Sequence, residues 1–165
     1  MNYEIFTDGS VINNGKNNAK ASFGICIKFK DSTYHEINGL VSSTYNQSNN
    51  TGELSGIYEA LNYMVKSNLN KKPIKIYTDS KYCINSVTND GECWHIKWVK
   101  NNWKNSSNKP VVNTELIKLI LDIIKKFSNL KFVYVASHTR LSDSASLGNE
   151  RADFLAKQAL GLRPL

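Results

Sequence analysis

Four acidic residues stand in frames that can hold a carboxylate toward a shared cation. They are Asp8 in Ile5-Phe6-Thr7-Asp8-Gly9-Ser10, Glu53 in Thr51-Gly52-Glu53-Leu54, Asp79 in Ile76-Tyr77-Thr78-Asp79-Ser80, and Asp153 in Gly148-Asn149-Glu150-Arg151-Ala152-Asp153. Gathered in one place, such oxygens repel one another unless something cationic joins them. Mg²⁺ takes hard oxygen ligands and keeps waters and substrate phosphate in its shell, so the ion with a phosphodiester is the natural completion. Two such ions about 4 Å apart could share the carboxylates, one activating the attacking water and the other stabilising the leaving 3′ oxygen. The frames therefore point to metal-dependent phosphoryl chemistry on nucleic acid. Each acid alone also has a plainer reading: Glu53 and Asp153 as acids favoured at a helix N-terminus, Asp79 as an N-cap, Asp8 as a turn residue. The combination favours the metal site.

The elements that must position these acids follow from hydrophobic period. Tyr3 to Thr7 reads as a strand ending at the turn Asp8-Gly9-Ser10. Phe23, Ile25, Ile27 and Phe29 recur at every second position, the period of a strand with one buried face, and Tyr34 to Val41 completes an antiparallel meander. Glu53 opens a helix marked by Leu54, Ile57, Tyr58, Leu61 and Val65. Ile74 to Thr78 predicts a short buried strand, followed by a helix from about Ser80 to Val87. Asn89 to Lys109 reads as a loop-rich insert containing Trp94, Trp98 and Trp103. Beyond it come a helix (Leu116, Ile120, Ile123, Phe127), a strand (Phe132 to Ala136), a loop including Arg140 to Leu147, and a final helix with Asp153 in about its first turn. Strands alternating with helices imply a mixed α/β sheet with helices on its faces. If the strands before Asp8 and Asp79 are parallel neighbours, both carboxylates leave the same end of the sheet.

Composition narrows the setting. At 165 residues the chain suits one domain with a full core. Its 21 Lys+Arg against 14 Asp+Glu give a formal net charge of +7, which favours polyanionic partners, although a solvated basic surface would give the same total. Cys26, Cys83 and Cys93 are an odd number without Cys-x-x-Cys spacing, arguing against a disulfide framework and a zinc site. No basic and apolar leader opens the sequence, and the most apolar helix is interrupted by Lys118 and Asp122. The expectation is a soluble, intracellular, cytoplasmic protein with no membrane association; a nuclear or virus-associated setting is compatible.

The frames Phe6-Thr7-Asp8-Gly9-Ser10, Gly52-Glu53-Leu54, Tyr77-Thr78-Asp79-Ser80, Ser137-His138-Thr139 and Gly148-Asn149-Glu150-Arg151-Ala152-Asp153 resemble ribonuclease H of type 1, in order, from about Tyr3 to Leu160. The resemblance implies a ribonuclease H-like fold: a mixed five-stranded sheet, an antiparallel meander then parallel strands, flanked by helices. It implies a catalytic domain over residues 1–160 with a short tail at 161–165, and no separate hybrid-binding domain. The implied activity is endonucleolytic hydrolysis of RNA in RNA/DNA hybrids, giving 5′-phosphate and 3′-hydroxyl ends. Two Mg²⁺ are implied with substrate bound, and Mn²⁺ as a substitute. By motif match the metal-binding acids fall on Asp8, Glu53, Asp79 and Asp153. His138 resembles the mobile family histidine that assists proton transfer and product release, a role suited to a group titrating near neutrality.

The same resemblance assigns substrate contacts. Trp98 matches the tryptophan that lies against the sugar of the DNA strand, with Tyr82 its aromatic companion, and Trp94 and Trp103 are expected mainly in packing. The DNA phosphate pocket would involve Ser48 or Asn49, Ser106 and Asn113, whose donors recognise phosphate without reading a base. Asn14, Asn49 and Asn50 fall where 2′-hydroxyls are read, and Gly9 and Ser10 adjoin the first acid. The basic handle of bacterial relatives is partly kept, as Lys97, Lys100 and Lys104, which predicts more reliance on Lys71-Lys72 and Lys125-Lys126. The chain is expected to act on hybrid as a monomer, and the sequence names no replication or reverse-transcription partner. Two other readings stay open: a hybrid-binding module that has lost catalysis, and another nuclease of the same superfold.

Overall fold

The computed structural model describes residues 3–136 and 143–162. Strands β1 (Tyr3–Ile12), β2 (Lys20–Lys28) and β3 (Tyr34–Leu40) form the antiparallel meander, with Asp8 opposite Gly24 and Ile25 opposite Ile37. Strands β4 (Ile74–Thr78) and β5 (Leu130–Tyr134) add in parallel on the other side of β1, giving the order β3-β2-β1-β4-β5. The helices are α1 (Asn49–Lys66), α2 (Lys81–Val87), α3 (Trp94–Lys100), α4 (Thr114–Ile124) and α5 (Ser144–Ala159). This is the mixed five-stranded α/β sheet that the hydrophobic periods anticipate.

Strand alternation divides the interior into two layers. Ile5, Ile25, Ile27 and Ile76 face one side and pack with Leu54, Ile57 and Leu61 of α1 and Leu116, Ile117 and Ile120 of α4. Phe6 and Cys26 face the other side and meet Ala152 and Leu155 of α5. Two close approaches set these layers. A Cβ at Gly9 would lie 2.5 Å from the Glu53 backbone nitrogen and 2.6 Å from the Gly52 carbonyl carbon, and one at Gly52 would lie 2.6 Å from the Ser22 carbonyl oxygen. Only glycine lets α1 lie directly on β1 and β2 there.

Several boundaries differ from the sequence reading. β1 does not turn at Asp8-Gly9-Ser10, because its pairing with β2 continues to Ile12 opposite Lys20. β5 begins and ends earlier than Phe132 to Ala136, held by its register from Ile74 opposite Leu130 to Thr78 opposite Tyr134. Phe127 lies beyond the end of α4, although it still packs against the core. The supposed loop-rich insert contains α3, a short helix with no buried residue. α5 starts at Ser144, capped by Asp143, whose carboxylate accepts from the Ser146 N–H at 3.0 Å. Ser144 to Leu147 are therefore helical rather than loop, and Asp153 sits in the middle of α5 instead of its first turn. No helix among the described residues is long and apolar enough to cross a membrane.

Candidate active site

The parallel pairing of β1 with β4 places two of the acids. Its last register partners are Phe6 and Tyr77, whose rings stack at 4.9 Å, and two residues further along each chain stand Asp8 and Asp79. Glu53 arrives from α1. The helix begins four residues before it, because Ser48 and Thr51 form a reciprocal cap: Thr51 N–H donates to Ser48 Oγ at 3.1 Å and Ser48 N–H donates to Thr51 Oγ1 at 2.9 Å. Glu53 is thus one turn inside the helix and does not cap it. The Gly9–Gly52 contact brings its backbone onto β1.

Carboxylate oxygens of Asp8, Glu53 and Asp79 lie within 4.8 Å of one another. Asp8 is 6% and Glu53 3% exposed, so neither charge is well solvated. Burial pushes the Asp8 carboxyl up to about 7, with repulsion from Asp79 and Asp153 adding to it, while hydrogen bonds from Glu53 and the Gly9 N–H pull the other way. Burial raises Glu53 well above the usual carboxylate range, and the Asp8 charge raises it further. Glu53 Oε2 is buried with no hydrogen-bond partner among the described residues. An orphaned carboxyl oxygen in an all-oxygen donor set fits a hard divalent cation, which would take the place of the proton.

Asp153 is not part of this group of three. Its charge reaches Asp8, yet its Oδ2 accepts from Lys157 Nζ at 2.9 Å, one turn further along α5.

The expected substrate residues fall into two neighbourhoods. Asn49 and Asn50 are exposed as the first two residues of α1, one turn ahead of Glu53. Ser48 spends its hydroxyl on the helix cap, Ser10 is half-buried on β1, and Asn14 is exposed just after β1. Gly9 is buried against α1, so its place is structural. In the second neighbourhood Tyr82, Trp94, Trp98 and Trp103 form a chain of ring contacts at 6.1, 5.9 and 5.9 Å. Trp98 and Trp103 pack against the core, whereas Trp94 bridges Tyr82 and Trp98. Asn113 precedes α4 in a left-handed conformation and donates from Nδ2 to the Tyr82 hydroxyl at 3.1 Å. Lys100 ends α3, and both it and Ser106 are exposed. His138 lies outside the described residues.

Lys71-Lys72 and Lys125-Lys126 do not join either neighbourhood. They are exposed in adjoining loops at the N-terminal ends of β4 and β5, tied by Asn70 Nδ2 donating to the Lys126 carbonyl at 2.7 Å. The acids leave the opposite end of β4, about 16 Å away at the usual strand rise. The lysines expected to help grip the substrate thus stand at the end of the sheet away from the acids.

The RNase H family model matches residues 1–161. This chain belongs to the RNase H family. A ribonuclease H of Clostridium botulinum is 36% identical over 158 residues, covering 94% of this chain and 93% of that protein. Human ribonuclease H1 is 30% identical over 154 residues, covering 93% of this chain and 48% of the human protein. Among solved structures, LC9-RNase H1 superposes with a TM-score of 0.77 at 19% identity, over 96% of this chain and 72% of that one. A foamy viral protease-reverse transcriptase in complex with an RNA/DNA hybrid gives 0.74 at 23% identity, over 95% of this chain and 20% of that one. These structures share the fold.

The chain is accordingly a ribonuclease H enzyme, of a family that generally uses divalent metals, and its buried acids fit one. Two features of this RNase H go beyond the roles that the motif frames assign. Lys157 could have been found as the i+4 partner of Asp153, a spacing that puts both on one helix face. Asn149 carries a buried Oδ1 with no partner among the described residues one turn before Asp153, and nothing in its residue type announces that.

Proposed function

We propose that this RNase H hydrolyses the RNA strand of RNA/DNA hybrids endonucleolytically, leaving 5′-phosphate and 3′-hydroxyl ends, with two Mg²⁺ held by Asp8, Glu53, Asp79 and Asp153 when substrate is bound. Mn²⁺ is the expected substitute. The observation that carries the reading is the three-acid group, with Asp8 and Glu53 buried and a Glu53 oxygen unpartnered among the described residues, one helical turn from exposed Asn49 and Asn50. Bound metal supplies Lewis-acid polarisation of the phosphate and a water of lowered pKa. The residues of the chain do the rest. A proton kept by Asp8 and Glu53 in the metal-free protein must leave as the cation enters.

Asn49 and Asn50 can both donate to and accept from a 2′-hydroxyl, which is the group that distinguishes the RNA strand. Asn14 extends this contact beyond β1, and the positive end of the α1 dipole favours an adjacent phosphate. Trp98 and Tyr82 offer aromatic faces to the DNA strand, Asn113, Ser106 and Lys100 offer donors and charge to its phosphates, and His138 moves the proton at product release. Cys26, Cys83 and Cys93 are free thiols, which suits action in a reducing, intracellular compartment. The enzyme acts as a monomer.

A panel of end-labelled RNA/DNA hybrid, duplex RNA, duplex DNA and four-way junction, each with Mg²⁺ and with EDTA, tests this. Mg²⁺-dependent cutting of the RNA strand in the hybrid alone is expected. Binding without cutting would instead mark a hybrid-binding module, and junction cleavage another nuclease of this fold.

A further inference from the structure

Asp153 and Lys157 are spaced i, i+4 on α5 with the acid first, the favourable order along a helix. Their side chains are only 21% and 29% exposed, so the pair is better shielded from water than a surface ion pair. α5, which carries the pair, packs against β1, and on that strand Asp8 stands in a cluster where carboxylate oxygens of Asp8, Glu53 and Asp79 lie within 4.8 Å of one another. Lys157 is a cation in direct contact with Asp153, the one acid that stands outside the group of three.

We propose that Lys157 is a positioning residue that stands in for the divalent cation at Asp153. In the metal-free protein its ammonium neutralises Asp153 and holds that carboxylate toward α5, apart from Asp8, Glu53 and Asp79. A metal ion that uses Asp153 must displace this contact. Lys157 therefore has two effects of opposite sign: it stabilises the protein without metal and weakens the affinity for metal. This deepens the proposed reading of the four acids and rests on it.

The test is a Mg²⁺ titration of the full chain without nucleic acid, followed by amide chemical shifts, with thermal unfolding in EDTA and in Mg²⁺. Lys157→Gln and Lys157→Ala should bind Mg²⁺ about three- to ten-fold more tightly, as expected for removing one nearby positive charge. Both should melt lower than wild type in EDTA and gain more from Mg²⁺. Lys157→Arg should track wild type. In an Asp153→Asn background the effect of Lys157→Gln on affinity should vanish. Unchanged affinity, an equal loss of melting temperature in EDTA and Mg²⁺, or an effect that survives Asp153→Asn would each overturn the inference. Wild-type protein whose Mg²⁺ response is absent, or persists in Asp8→Asn, would overturn the reading of the site itself, and this inference with it.

Discussion

At the C-terminal end of β4 three carboxylates crowd within 4.8 Å of one another, whereas Lys71, Lys72, Lys125 and Lys126 stand exposed in two loops at its N-terminal end. The acids are held by the most constrained part of the fold: a parallel register, a glycine-to-glycine contact and a reciprocally capped helix. The lysines are held by surface turns, and Lys125 is paired only loosely, at 3.5 Å, with an exposed Asp122. Net charge therefore suggests a polyanionic partner without locating the site. Chemistry sits where like charges are forced together, and the compensating positive charge is largely elsewhere.

The largest expected effect comes from the acidic end. Asp8→Asn should lower hybrid cleavage in Mg²⁺ by at least about a thousand-fold, or roughly 4 kcal/mol of barrier, while the protein stays folded in EDTA. A loss of less than about ten-fold in single-turnover cleavage would remove Asp8 from the chemistry. Next is Trp98→Ala, expected to weaken hybrid binding by about 1–3 kcal/mol with little change in cleavage at saturating hybrid. Trp98→Phe should recover most of the affinity. Equal losses in binding by both variants would tie Trp98 to packing with Trp94 and Trp103 instead.

The acidic end also makes a pH prediction. Asp8 is raised from an ordinary 3.8 to about 7 in the folded protein, so the folded state holds the proton more tightly than the unfolded chain. The stability this contributes is full below about pH 4 and is lost as pH rises through about 7. Glu53, raised for the same reason, acts in the same direction. Melting temperature in EDTA should fall from pH 5 to pH 8, and Mg²⁺ should restore more of it at pH 8, where fewer protons have to leave. A flat or rising profile in EDTA would mean the carboxyls are not forced together.

The smallest effect belongs to the lysine end. Alanine at Lys71, Lys72, Lys125 and Lys126 together should change cleavage of a short hybrid less than about two-fold and leave the salt dependence of its binding unaltered. If these lysines touched the hybrid, the slope of log affinity against log salt would fall by about 0.9 for each.

The acid frames were legible because each lies in a short local pattern whose residue types carry the chemistry, and the strand and helix periods around them were strong. What was not legible depended on long-range register or weak local signals. β1 continues past Asp8 because β2 pairs with it that far, which no residue of β1 reveals. The start of α1 was hidden because Asn49, Asn50 and Gly52 are poor helix formers, offset by the Ser48–Thr51 cap and by burial from Thr51 to Ile57. α3 has no buried face and follows Cys93 in a left-handed conformation, so its period carried little signal. Asp153 was misplaced for a related reason. The polar run Ser142-Asp143-Ser144 resembles loop, and only the Asp143 cap shows the helix beginning within it. The Lys157 pairing becomes visible once Asp153 is known to lie well inside that helix.

The most direct measurement is cleavage of the labelled RNA strand of a hybrid by wild type and by Asp79→Asn, each with Mg²⁺ and with EDTA. Cutting by wild type in Mg²⁺ alone, and by the variant in neither condition, is the predicted result. Full cutting by Asp79→Asn in Mg²⁺, or by wild type in EDTA, would contradict a metal-dependent site built on these acids.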